Sequence, residues 1–127
     1  MKLAEYNVVT TISVKDLEKG KEFYGEVLGL KLANTMPAGV SFTSGKTDLF
    51  IYQSETAGTG QATCANWNVE NIAEVVSELK EKGVTFETYE VPGAQKEGDV
   101  MVIGKTKATW FKDPDGNVLG LTQMNRD

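Results

Sequence analysis

The sequence predicts an α+β fold made of two tandem βαβββ modules, and three observations carry that prediction. Alternating, β-branched runs outnumber the helical stripes. A strand–cap–helix–glycine–strand pattern occurs twice, "VKDLEKGKEFYGEVLGLKL" against "VENIAEVVSELKEKGVTF". Each copy then closes on a comparable strand, "TDLFIYQ" and "NVLGLTQ", which sets Phe50 opposite Gly120. With 127 residues, 40% of them hydrophobic, the chain suffices for one compact domain or two small halves sharing a core. A single domain over 1–127 is therefore expected, with module one at about 1–55 and module two at about 61–127.

Taken in order, "YNVVTTISV" (6–14) alternates and reads as a strand. Asp16 is placed to N-cap a helix whose apolar stripe is Leu17, Phe23, Tyr24, Val27 and Leu28, ended by Gly29. Strands follow at 30–35, 39–43 and 47–53, separated by "MPAG" and "SGKT" turns. After the polar connector 54–61, a strand at 62–69 leads to Asn71, which caps a helix striped by Ile72, Val75, Val76 and Leu79. Residues 84–90 read as a strand, "VPGAQKEGD" as a loop, and further strands are expected at 100–104, 106–112 and 117–123.

Composition excludes several functions. The formal net charge of −5 repels phosphate backbones and anionic lipid, so neither nucleic acid nor membrane is an expected partner. The opening "MKLAEYNVV" has no apolar run of signal-peptide length, and a cytoplasmic location is expected. Cys64 is the sole cysteine, which rules out an intrachain disulfide. Histidine is absent altogether. That removes the commonest transition-metal ligand, the usual general base, and every His-paired serine or cysteine nucleophile. A carboxylate-only magnesium or calcium site stays open, but no EF-hand loop or tight acidic cluster is present.

Two segments, "VKDLEKGKEFYGEVLGLKL" and "WFKDPDGNVLGLTQ", together with the tandem order, resemble the vicinal oxygen chelate superfamily. Its members include glyoxalase I, extradiol dioxygenases, fosfomycin-resistance enzymes and bleomycin-resistance proteins. The resemblance implies strands forming a curved mixed sheet around a cavity, with helices outside. In metal-using members the ligands lie on cavity-facing strands. Carried over, those positions are Val9, Phe50, Cys64 and Gly120, of which only Cys64 has a donor atom. The resemblance thus implies a member with no metal and no cofactor, nearest the bleomycin-resistance branch, and a homodimer.

Alternation then nominates the cavity-facing side chains. They are Val9, Thr11 and Ser13; Phe50 and Tyr52; Cys64, Asn66 and Asn68; and Val118, Gly120 and Thr122. Trp67, Leu119 and Leu121 fall on the helix side. If the hairpin turn carries a bulge at Gly116, Trp110 lies across from Gly120 and either fills the space above it or walls a pocket. Met101 sits in the long segment 91–104, a candidate site edge. Cys64 reads as a small buried hydrophobe or as a reactive thiol, and Asn66 and Asn68 as bonding each other or a ligand.

The expected function is metal-free binding of an amphipathic or aromatic small molecule, such as an antibiotic, by sequestration. Two alternatives remain open. One is a glyoxalase-like lyase, isomerase or dioxygenase using a relocated metal or Cys64. The other is a non-catalytic interaction or sensor module whose cleft is filled by its own side chains.

Overall fold

The computed structural model describes residues 2–124. The chain divides into two compact units, Met1–Ala57 and Gly58–Asp127. The strands form two hydrogen-bonded sheets, one in each unit, in the mixed α+β architecture expected.

The first unit runs β1 (Thr10–Val14), α1 (Leu17–Glu22), β2 (Lys31–Met36), β3 (Gly39–Ser44) and β4 (Thr47–Gln53). Asp16 caps α1 as its sequence position suggests, its carboxylate accepting the amides of Glu18 and Lys19 at 3.0 and 3.2 Å. The helix continues as a π-helical turn over Phe23–Val27, which a period-3.6 stripe does not signal. Sheet order is β1-β4-β3-β2, with β1 parallel to β4 and the other pairs antiparallel. One face carries the buried residues Ile12, Val14, Val40, Phe42, Leu49 and Ile51, and Tyr24 of the helical segment packs beside Phe42.

The second unit repeats this plan. It runs β5 (Thr63–Asn68), α2 (Ile72–Glu81), β6 (Phe86–Glu87), β7 (Gln95–Glu97), β8 (Val100–Ile103), β9 (Thr106–Lys112) and β10 (Val118–Met124). Asn71 caps α2 through the Glu74 amide at 3.2 Å. The order β5-β10-β9-β8-β7 again sets the first strand parallel to the last. Trp67 stacks on Phe111 at 6.5 Å, and Leu119 and Leu121 are buried on that same face. Gln123 faces the helix as well, accepting the Ile72 amide at 2.7 Å. Such helix-backed sheets bury one face and leave the other for binding.

Three boundaries need correction. Residues 6–9 lie outside β1, because β4 pairs with β1 only from Leu49, opposite Thr10. The expected strand 84–90 shrinks to Phe86–Glu87. One edge of β9 is taken by β10, and β8 already occupies the other edge at Thr106–Ala108, leaving β6 only Trp110 and Phe111. The loop after residue 91 is partly ordered as β7, which pairs with β8. Among the described residues no helix is long and apolar enough to cross a membrane.

Candidate ligand-binding site

The hairpin joining β9 to β10 fixes the geometry of the second unit's open face. Asp113 and Asn117 close the turn, the Asp113 amide donating to the Asn117 carbonyl at 3.0 Å, and Gly116 has a φ of 94°. This three-residue loop with a glycine bulge sets the register Trp110 opposite Gly120, as its sequence suggests. Parallel pairing then brings Asn66 beside Gly120, and β6 brings Glu87 beside Trp110. Asn66, Gly120, Trp110 and Glu87 therefore form one transverse row across four strands. The next row on that face is Asn68, Thr122, Ala108, Met101 and Lys96.

Gly120 is the hinge point of the first row. A β-carbon there would stand 2.6 Å from Asn66 Oδ1 and 3.5 Å from Trp110 Cδ1. The space above the glycine is shared by an amide oxygen and the indole edge. Asn66 Oδ1 accepts the Thr122 hydroxyl at 3.0 Å, while its amide nitrogen donates to Asn68 Oδ1 at 3.5 Å. The two asparagines thus bond each other and a neighbouring strand, while both residues stay exposed.

Tyr89 completes this face; it lies within the expected strand 84–90 but follows β6 in an irregular stretch, and it is not among the residues nominated from the sequence. Its ring meets Trp110 edge to face, with centroids 5.1 Å apart and planes at 68°. Its hydroxyl donates to Glu87 Oε2 at 3.1 Å, and Lys112 Nζ lies 3.8 Å from Glu87 Oε1. Slight burial, this hydrogen bond and the Glu87 charge push the Tyr89 hydroxyl above its ordinary pKa, so it stays protonated as a donor. Beside Tyr89 opens a hollow of about 760 Å³, bordered by Glu90, Pro92, Ala94, Lys96 and Met101. Met101 is buried at its floor, only 7% exposed, where the sequence placed a site edge.

In the first unit the corresponding row is Thr11, Phe50, Ser41 and Asn34. Here too a ring covers a bare glycine: a β-carbon on Gly39 would lie 2.6 Å from Phe50 Cζ. Tyr52 lies two residues further along β4 and is 38% exposed. Val9 precedes β1 and is 45% exposed, so its assignment to that strand is corrected.

Cys64 also departs from expectation. Thr63 pairs with Val118 and Ala65 with Leu119, so Cys64 is the extra residue of a bulge. The residue is exposed and its thiol donates to the Val118 carbonyl at 3.4 Å. Desolvation, with the nearby Asp113 charge second, raises its pKa and makes it a poor nucleophile at neutral pH.

The metal test on these residues fails. Phe50 and Gly120 bring no donor atom to either sheet, Val9 lies off its strand, and the Cys64 thiol is spent on a carbonyl. Among the described residues no three His, Cys, Asp or Glu side chains are grouped to hold an ion. The open face instead offers an indole, two amides, a threonine hydroxyl and a thioether, groups that stack and hydrogen-bond.

The profile of the Glyoxalase/Bleomycin resistance protein/Dioxygenase superfamily matches residues 7–121. Among solved structures, the chain is similar to a glyoxalase/bleomycin resistance protein/dioxygenase from Alicyclobacillus acidocaldarius, with TM-score 0.72 and 19% identity over 100% of this chain and 97% of that one. It is similar at 25% identity and TM-score 0.67 to TnmS3, an antibiotic binding protein from Streptomyces sp. CB03234, covering 94% of this chain and 98% of that one. A lactoylglutathione lyase from Agrobacterium tumefaciens shares the fold at 14% identity and TM-score 0.68, over 93% and 92% of the two chains. A search of curated proteins gives no match.

Proposed function

Since the chain belongs to the Glyoxalase/Bleomycin resistance protein/Dioxygenase superfamily, we propose that it binds an amphipathic or aromatic small molecule without converting it. The observation that carries this is the Asn66–Gly120–Trp110 row. It presents an aromatic wall, a strand position without a side chain and satisfied amides, groups that stack and hydrogen-bond. The ligand-binding residues proposed in the second unit are Asn66, Asn68, Met101, Trp110 and Gly120, with Cys64 at the rim. Thr11, Phe50 and Tyr52 form the equivalent surface of the first unit, flanked by Val9.

An antibiotic is the ligand class favoured, supported by the likeness to TnmS3. Sequestration rather than turnover, a cytoplasmic setting and a homodimeric assembly belong to the same proposal. The test is a thermal-shift screen of aromatic antibiotics on the purified protein, with metal content measured on the same sample. A ligand at a hundred times its Kd should add about 2.7 kcal/mol of stability. Trp110→Ala should lose that shift and Trp67→Phe should keep it. Turnover that follows a bound metal ion would overturn the proposal.

One observation favours a second reading, the self-filled sensor. Tyr89 already lies against Trp110 and shields its indole. The two readings separate on whether that ring moves.

A further inference from the structure

We infer that the corner between Trp110 and Glu87 is a subsite for an aryl group bearing a hydrogen-bond donor, a phenol or an arylamine, and that Tyr89 is its displaceable internal occupant. The inference rests on the binding function proposed above and deepens it.

Tyr89 satisfies the corner as such a ligand would. Its ring sits edge-on to the indole at 5.1 Å, and its hydroxyl donates to Glu87 Oε2 at 3.1 Å. A carboxylate accepts and never donates when ionised, so the partner it selects must carry an O–H or N–H. Lys112 Nζ lies on the side of the other oxygen, Oε1, at 3.8 Å, which leaves Oε2 for the aryl donor. The indole selects a flat ring, and the two groups come from adjacent strands in register, Glu87 opposite Trp110. The backbone of the subsite is therefore fixed by strand pairing.

Its occupant is not. Tyr89 lies outside every helix and strand, is 41% exposed, and precedes the turn 91–94, where Pro92 and Gly93 occupy the two central positions. Its hydroxyl is held by the Glu87 carboxylate. The same side chain borders the hollow of about 760 Å³, so the phenol has room to swing aside without disturbing the sheet. A ligand ring that replaces it recovers both the stacking and the hydrogen bond that Tyr89 gives up.

The test uses the full chain and two probes with the same ring system, 2-naphthol and its O-methylated, donor-free counterpart 2-methoxynaphthalene, with binding measured by calorimetry. Tyr89→Ala removes the internal competitor, so 2-naphthol should bind about threefold to tenfold more tightly than to the parent protein. In that background 2-methoxynaphthalene should bind several-fold more weakly than 2-naphthol, and adding Glu87→Ala should erase the difference. Unchanged or weaker 2-naphthol binding by Tyr89→Ala makes Tyr89 a fixed wall and overturns the inference, as does equal affinity for both probes. Circular dichroism melts of each variant establish that it is folded. If 2-naphthol binds no variant while a larger antibiotic still gives a Trp110-dependent thermal shift, the subsite fails and the broader function stands. If the antibiotic shift is also absent, both fail.

Discussion

Trp110 Cδ1 lies 3.5 Å from the point where a β-carbon on Gly120 would stand, and Asn66 Oδ1 lies 2.6 Å from that same point. The glycine is thus held open by function of its neighbours: an amide oxygen occupies the volume a side chain would take. Alanine at 120 must push Asn66 away and break its bond to the Thr122 hydroxyl. Losing that bond costs about 1 kcal/mol, and crowding adds about 1–3 kcal/mol. The opposing gain from removing a strand glycine is only about 0.5–1 kcal/mol. Gly120→Ala should therefore destabilise the protein by about 1–3.5 kcal/mol in urea denaturation. The double variant with Asn66→Ala should lose less than the sum of the two single changes. A more stable Gly120→Ala protein would contradict this geometry.

The "DPDGN" turn should matter more than its exposure on a hairpin suggests. Asp113 is only 5% exposed and its carboxylate accepts three N–H groups: the amides of Asp115 and Asn117, both at 2.9 Å, and Asn117 Nδ2 at 2.7 Å. Asn117 in turn accepts the Gly58 amide at 3.2 Å, clasping the start of the second unit. Hydrogen bonds to a charged acceptor contribute about 1.5–3 kcal/mol, and stranding the donors adds to the loss. Asp113→Ala should cost about 3 kcal/mol by the denaturation midpoint, and Asp113→Asn less. Gly58→Ala should also destabilise. Its φ is +74° and an added β-carbon would collide with the Asp115 carbonyl.

This clasp shows what local sequence could and could not convey. Pro114 and Gly116 spell a turn, the turn fixes the hairpin register, and the register places Trp110 against Gly120, so that half of the site is legible without coordinates. Asn66, Asn68 and Thr122 follow from strict alternation along β5 and β10. Glu87 and Tyr89 share a parity within 84–90, but their places beside Trp110 do not follow from it. They enter the site because β8 crowds the edge of β9 and cuts β6 to two residues, a competition between strands distant in sequence. Cys64 is misread for a related reason. A bulge interrupts the alternation at that residue, and no period of two can signal its own interruption.

In the first unit the most sensitive position should be Gly39. An added β-carbon would run into the Ile51 backbone carbonyl and stand 2.6 Å from the Phe50 ring. Backbone cannot yield as a side-chain tip can, and Ile51 sits at the centre of the buried face with no exposed surface. Gly39→Ala should cost about 2–3 kcal/mol, at the upper end for overpacking. Gly45→Ala, where nothing lies within 4 Å, provides a comparison. It should show only the smaller penalty of its positive φ, 57°. Equal losses at the two sites would mean that the β3–β4 packing is looser than the geometry indicates.

Cys64 gives the pH-dependent prediction. Desolvation first, and the Asp113 carboxylate second, raise the thiol's pKa above the ordinary cysteine value. The folded state therefore keeps its proton where the unfolded chain has begun to lose it. Between the unfolded and folded pKa values the unfolded state binds fewer protons, so stability must fall as pH rises. The contribution is fully present below about pH 8.5, the free-cysteine value, and disappears as pH climbs through the higher folded value. Alkylation by iodoacetamide should accordingly show a midpoint above about pH 8.5 despite the residue's exposure. Cys64→Ser should flatten the decline in stability above that pH. Asp113→Asn, which removes the second cause, should move the alkylation midpoint back toward the free value. A midpoint below that of free cysteine would show that the thiol is activated, and chemistry at Cys64 would then re-enter the account of this face.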